Sequence, residues 1–552
     1  MKSLYAYHIV LVGLLVLINI GCSNRHAAVD GFHSQLPQLR VYADPALVDT
    51  IYHVNRRKIP AYARFITEEG DTLYDDSLRY IRTRGNQTFR STNKKSFSIK
   101  LVKGAKFPFL RKNRNFILLA NAFDESHIRN AIAFDMAKDL GVLAPNYAYV
   151  SLYINDEYKG LYQMTNKVEV SKRMVNIVNL EKENKEINPL PLDSYPSFMI
   201  GEKLQRGTCK GSQLAGSPQD ITGGYLLRYD WGAYARAISG FVSDGGDAIC
   251  IEEPKHCSIE EVHYIQDYYN QMEYAIQDTN SLDYLNYIDV ESFAKYYLLQ
   301  EILYNIDGGM GSMYMYKDRE DKLIAGPLWD MDATLDNAVL DFKYSHPNML
   351  CVQAPWPGVS HKQTEGLLFQ LARRHDFREM CARMYVCMYN GRKLCDLSAE
   401  NMKMDSLYEH IYKEAERDYM VNGNRLSKDY ETAFSLPIEF LYKRLQFLYW
   451  YFTTPRDSMV CLTDISTPTI PHERRFEIYF PKGQPISLPY KAIKAIQSPT
   501  PTWYIAGTDS MLTDGMRLYR DYDIECRLVP PSWLEMHKRR LKKFFQGRLY
   551  IN

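Results

Sequence analysis

Residues 304–337 read YNIDGGMGSMYMYKDREDKLIAGPLWDMDATLDN. Asp307 follows a helix-patterned run and precedes the turn formers Gly308-Gly309. Met313 to Tyr316 alternates as a strand, and a second apolar run then leads into Asp330-Met331-Asp332. Two carboxylates in D-x-D spacing can present oxygen to one divalent cation. A hard ion such as Mg²⁺ takes oxygen ligands and commonly uses one or two carboxylates together with substrate phosphates. Taken singly, Asp332 or Asp336 also suits a turn or helix cap, and Asp307 suits a helix C-terminal turn. The order of the three is what carries information.

Asp307 and Asp330 are 330 − 307 = 23 residues apart, across a short hairpin. A catalytic-loop Asp followed by a metal-binding Asp is the working order of protein kinases, where the first takes the hydroxyl proton and the second holds Mg²⁺ against the phosphates. Five residues after the first Asp, where kinases place an Asn for a second metal, stands Ser312, a neutral ligand. Further upstream, TNKKSFSIKL (92–101) puts Lys94, Lys95 and Lys100 in a strand-like run. A strand Lys there can neutralise nucleotide phosphates, and alternation assigns Lys94 and Lys100 to one face. RTRGNQTFRS (82–91) adds a Gly turn with backbone donors and Arg82, Arg84 and Arg90. Alone, this segment is an ordinary solvated basic hairpin.

The rest of the chain supplies the frame. Residues 36–110 read as short strands, 126–141 as a helix stopped by Gly141, and 148–164 as a hairpin turning at Asn155-Asp156. Residues 180–222 hold several Pro, Gly and Ser and suggest an insertion or lid. Helical periodicity runs over 259–304, 361–418 and 431–452, and strand-like pattern returns beyond Pro455, ahead of a Lys/Arg-rich tail at 536–546. A strand-rich first part followed by a helical part predicts a two-lobed α+β enzyme spanning 36–455, with a small β-rich region at 456–552.

Composition bounds the alternatives. The 552 residues carry 67 − 66 = +1 net charge with 46% hydrophobic residues, which excludes disordered or collagenous chains and gives no general reason to bind nucleic acid. Tyr outnumbers Phe 43 to 23, which suits either wet, glycan-facing walls or a core that uses Tyr for Phe. Lys2, the apolar Ile9 to Ile18 and Gly21-Cys22 have the anatomy of a lipoprotein signal over residues 1–22, with lipid on Cys22. Such a chain is exported and held to the membrane by that lipid alone. Cys209, Cys250 and Cys257 are the disulfide candidates, and Cys381, Cys387 and Cys395 read as core residues of a helix. His127, His361 and His375 have no partner at catalytic spacing and read as surface residues.

Several blocks together resemble the spore coat protein H (CotH) kinase family over roughly residues 36–450. They are IRTRGNQTFRSTNKKSFSIKL (81–101), NFILLANAFDESHIRNAIAFDMAKDLG (115–141, with Arg129), VSLYINDEYKGLYQM (150–164), GGYLLRYD (223–230), and the Asp307 and GPLWDMDAT (326–334) segments. The resemblance implies an atypical secreted kinase with a distant protein-kinase-like fold: a β-rich N-lobe and a helical C-lobe. Carried over, Asp307 is the catalytic Asp and Asp330 the metal Asp, with Asp332 and Ser312 beside it. A Lys among Lys94, Lys95 and Lys100, with Arg84, holds phosphate. The cofactors implied are ATP or another nucleoside triphosphate with Mg²⁺ or Mn²⁺. The acceptor implied is a protein or glycan hydroxyl in the cell envelope. Asn166 stands where relatives carry Glu, and Ser312 where they carry Asn. These departures keep open a second reading, a catalytically inactive kinase-like binding lipoprotein. A third reads the D-x-D as that of a glycosyltransferase, for which no N-terminal βαβ nucleotide unit is evident.

Overall fold

The computed structural model describes residues 35–305, 308, 311–337, 344–352, 366–391, 397–422, 429–464, 476–491 and 500–529. It is a mixed α+β protein that divides into two compact units. Asp307, Cys22 with the signal segment, His361, Cys395 and the basic tail lie outside the described residues.

The first unit takes the chain up to Ala122, Tyr147–Asn166 and Asn401–Tyr430. Its strands are β1 (Gln38–Tyr42), β2 (Ile59–Ile66), β3 (Thr72–Arg84), β4 (Ser96–Ala105), β5 (Asn113–Leu119), β6 (Tyr147–Ile154) and β7 (Glu157–Asn166). They close into a barrel in the order β1-β2-β3-β4-β5-β7-β6, sealed by parallel pairing of β1 with β6. Closure removes free edges, and the interior fills with alternate residues such as Val41, Phe65, Ile99, Phe116 and Leu152. The β6–β7 turn is made by Asn155 and Asp156, both at positive φ (51° and 62°), which matches the twist of a two-residue hairpin.

The second unit holds Phe123–Asn146, Lys167–Glu400 and the chain from Glu431. The sequence suggests a mainly helical region here, yet seven strands form its central sheet. These are β8 (Ser197–Ile200), β9 (Cys209–Ser212), β10 (Tyr225–Tyr229), β11 (Gly240–Val242), β12 (Ala248–Glu253), β13 (Met313–Lys317) and β14 (Ile324–Ala325), ordered β14-β13-β10-β12-β11-β9-β8. Segment 180–222, expected as an insertion or lid, thus contributes two strands to the sheet. Strands as short as three residues carry too little periodicity to be read from sequence. Helices Ile259–Gln277 and Val290–Ile302 pack on it, His375–Asn390 packs on Val290–Ile302, and Tyr430–Thr453 reaches Val290–Ile302 through Arg444. At the C-terminal end, β15 (Met459–Asp464), β16 (Phe476–Pro481), β17 (Thr500–Ile505) and β18 (Tyr522–Val529) form a four-stranded sheet, the β-rich region expected. No helix among the described residues is long and apolar enough to cross a membrane.

Three expectations are corrected. Cys209, Cys250 and Cys257 are buried free thiols, seated in the sheet or beside it. His127 is buried, because its backbone turns inward at φ 62° ahead of helix Arg129–Asp139. Cys387 is exposed, although its helix neighbour Cys381 is a core residue as read. Part of the Tyr excess serves the interior: buried Tyr162, Tyr225 and Tyr385 donate their hydroxyls to the backbone carbonyls of Lys95, Ile221 and Leu445, and half-buried Tyr268 donates to Tyr287 O. Phenol in place of phenyl gives each ring a polar tip that can meet a backbone carbonyl.

One buried carboxyl predicts a pH effect. Glu273 is 1% exposed and accepts Gly245 N–H at 3.2 Å, while the nearby Asp247 accepts the Tyr269 hydroxyl at 2.9 Å. Burial, then the negative charge of Asp247, raises the Glu273 carboxyl from 4.5 to about 8. A raised folded-state value means stability is fully present below 4.5 and is lost as pH climbs to about 8. The wild type is expected to melt progressively lower across that window and Glu273→Gln to melt with a flatter profile. Superimposable profiles would refute the assignment.

Candidate functional site

Asp330 leaves β14 through a segment whose apolar half is fixed. Leu328 N–H bonds Leu143 O at 2.7 Å, and buried Trp329 stacks on Phe134 with centroids 6.2 Å apart. Asp330 itself is exposed, at φ 66°. Ser312, at φ 52° just before β13, donates its hydroxyl to Asp330 Oδ2 at 2.7 Å, joining the loops at the two ends of the β13–β14 hairpin. Tyr304, Leu335 and Asp336 are also left-handed, at 48°, 50° and 64°. Such conformations at non-glycine residues cost of order 1–3 kcal/mol each and persist only where the surroundings impose them.

Those surroundings are specific. Buried Asp124 accepts Ser126 Oγ (2.6 Å), Ser126 N–H (3.0 Å), Arg129 N–H (3.0 Å) and the Arg129 guanidinium (2.5 Å). Burial alone would raise its carboxyl, but Arg129 and these donors hold it below the usual carboxylate range. Arg129 then reaches Thr334 O at 2.9 Å and Leu335 O at 3.1 Å. Asn130 Oδ1 accepts Met331 N–H at 3.0 Å, and Asn337 Nδ2 spans Phe123 O (3.1 Å) and Asp332 O (2.5 Å). From the other side, Leu335 N–H bonds Leu303 O at 2.7 Å, tying the loop to the end of helix Val290–Ile302. Half-buried Asp332 therefore sits in backbone held on both flanks.

The basic candidates belong to the first unit. Lys94 and Lys95 precede β4, so the alternation argument pairing Lys94 with Lys100 does not apply; only Lys100 is on the strand. Lys94 is buried, with Nζ 2.5 Å from Leu161 O and 2.9 Å from the Asp418 carboxylate. Burial pulls its ammonium below the usual lysine value, opposed by Asp418. Lys95 Nζ donates to Phe89 O and Thr92 O, both at 2.6 Å. Lys100 and Arg84 are half-buried. The Asn-x-x-Tyr-x-Gly-x-Tyr hairpin forms a socket for helix Leu397–Asn422. A Cβ on Gly160 would stand 1.9 Å from Asp418 Oδ1, and Arg417 lies 3.8 Å over the Tyr158 ring. Asn166 binds the backbone of Arg111 with both ends of its amide, at 3.0 and 2.9 Å.

Ser312, Asp330 and Asp332 are all oxygen donors, the chemistry a hard cation requires. Among the described residues, no three His, Cys, Asp or Glu side chains form a metal cage. Mg²⁺ keeps several waters and binds through one or two carboxylates plus phosphates. Sequence reasoning missed Asp124, Asn130 and Asn337. One signal existed: Arg129 opens its helix, where a cation opposes the positive N-terminal dipole and so needs another reason to be there.

A mixed α+β protein with an oxygen-donor loop clamped between two helices is the class these observations define. The CotH kinase protein family model matches residues 81–448, 448 − 81 + 1 = 368 of 552, and the chain belongs to the CotH kinase family. The match begins within β3, so β1 and β2 of the barrel precede it. No curated protein matches the chain.

Proposed function

We propose that this protein is an exported kinase-like phosphotransferase, anchored by lipid on Cys22, that moves a phosphoryl group from ATP or a related nucleotide to a protein or glycan hydroxyl in the cell envelope. The two units correspond in this reading to the lobes of a distant protein-kinase-like fold. Asp330, with Asp332 and Ser312, holds Mg²⁺ or Mn²⁺, which when bound supplies charge neutralisation for the phosphates. Asp307 accepts the acceptor's hydroxyl proton. Lys94, Lys95, Lys100 and Arg84 are the basic groups of the first unit assigned to phosphate. The observation that carries the reading is the 2.7 Å Ser312–Asp330 bond. It brings the residue five after Asp307 onto the metal carboxylate, as the kinase order requires.

A ligand that binds the native state raises apparent stability by about 2.7 kcal/mol at one hundred times its Kd. Titration with ATP and Mn²⁺ is expected to raise the melting temperature of the wild type and leave Asp330→Ala unmoved. Absence of a shift in both proteins would overturn the reading. A second reading, a kinase-like binding protein without turnover, is favoured by the engagement of Lys94 with Asp418 and of Asn166 with Arg111. It predicts binding without phosphate transfer.

A further inference from the structure

We infer that Arg129 is a positioning residue for the metal loop, setting the backbone that presents Asp330 and Asp332; the inference rests on the phosphotransferase reading above. A guanidinium that only capped its own helix would spend its donors locally. Arg129 instead sends Nε and one terminal nitrogen across 205 and 206 residues of sequence to Thr334 O and Leu335 O. The other terminal nitrogen goes to Asp124, which fixes the plane of the fork. The next residue, Asn130, takes Met331 N–H, so consecutive side chains of one helix grip the loop on either side of Asp332.

Both carbonyls that Arg129 binds belong to the tight left-handed turn, since Leu335 and Asp336 have φ 50° and 64°. Without the guanidinium Leu335 O would lose the donor that Arg129 supplies and Thr334 O would keep Asn337 N–H (3.0 Å) alone of the two it now has, and the turn would relax toward right-handed backbone. Relaxation at 334–336 is transmitted to Asp332, whose carbonyl is held by Asn337. The position is not interchangeable with Lys, because one ammonium cannot span Thr334 O, Leu335 O and Asp124 with a planar fork.

The test is Mn²⁺ affinity of the full chain, read by the paramagnetic resonance of free Mn²⁺, with melting temperature measured alongside. Arg129→Lys and Asn130→Ala are expected to weaken Mn²⁺ binding about tenfold to a hundredfold, the usual cost of an outer-shell change. Arg374→Lys is the matched control: Arg374 is also buried, but its fork caps Ile276 O, Asp278 O and Ser281 O. It should lower the melting temperature and leave Mn²⁺ affinity unchanged. If Arg129→Lys and Asn130→Ala lose stability while binding Mn²⁺ like wild type, the role is structural and the inference fails alone. If the wild type binds no Mn²⁺, the phosphotransferase reading fails and the inference with it.

Discussion

Replacing Arg444 by Met is expected to cost about 3–5 kcal/mol of stability, the range for breaking a buried ion pair by removing one partner. Arg444 and Glu301 are both fully buried. The guanidinium donates to Glu301 O (3.1 and 2.5 Å), Pro347 O (2.5 Å) and Met349 O (2.5 Å), and reaches Glu301 Oε2 at 3.3 Å. Glu301 in turn accepts Cys351 N–H at 2.8 Å and Val352 N–H at 3.0 Å. Deleting the guanidinium would leave a buried carboxylate without its counter-charge and take a donor from three carbonyls. Burial already raises the Glu301 carboxyl, with Arg444 as the main opposing influence, so its loss raises that carboxyl further. A group raised in the folded state contributes stability that is lost as pH rises, so the deficit of Arg444→Met should shrink in acid. Adding Glu301→Gln should recover part of the loss at neutral pH by removing the unpaired charge. Thermal and urea melts check all three; a stable Arg444→Met would contradict the pair's role.

Lys94→Met is the second large effect, again about 3–5 kcal/mol by the same mechanism. Its partner Asp418 would keep Leu161 N–H (3.0 Å) and Asn422 Nδ2 (2.9 Å) but carry an unneutralised charge in a site about 2% exposed. Asp418→Asn on that background should restore most of the stability, since a neutral thioether and a neutral amide then replace two ions. The double variant also separates structure from chemistry. If Lys94 touches nucleotide phosphate, the refolded double variant loses the ATP-dependent thermal shift. If it retains the shift, Lys94 only joins helix Leu397–Asn422 to the barrel, and Lys100 and Arg84 are left as the phosphate groups.

Much of the site was legible because its signals are local. The D-x-D, the Gly-rich turn after a helix and the Asn-Asp hairpin are short-range patterns, and their order along the chain named the family. The barrel strands announced themselves by alternation. Its closure did not, because β1 pairs with β6, more than a hundred residues away. Composition alone assigns Lys94 and Lys100 to one strand face, because TNKKSFSIKL has the composition of a strand throughout; the chain turns at Lys94, whose ammonium meets Asp418, 324 residues on. The loop-rich setting of the three buried cysteines suggests disulfides, because the short strands of the second sheet read as loops.

The sequence by itself determined which residue types could do chemistry here, and in what order. Carboxylate spacing, turn formers and helical or alternating periods are properties of neighbours along the chain. Tertiary structure alone decided which charges are spent and which are offered. Lys94, Arg129 and Arg444 look like surface cations in sequence, yet each is buried against carbonyls and carboxylates from distant segments. Asp330, flanked by apolar residues, is left exposed, beside Ser312. The reason is physical: a charge can leave water only where partners from elsewhere in the fold replace its hydration, and those partners are not encoded in its neighbourhood.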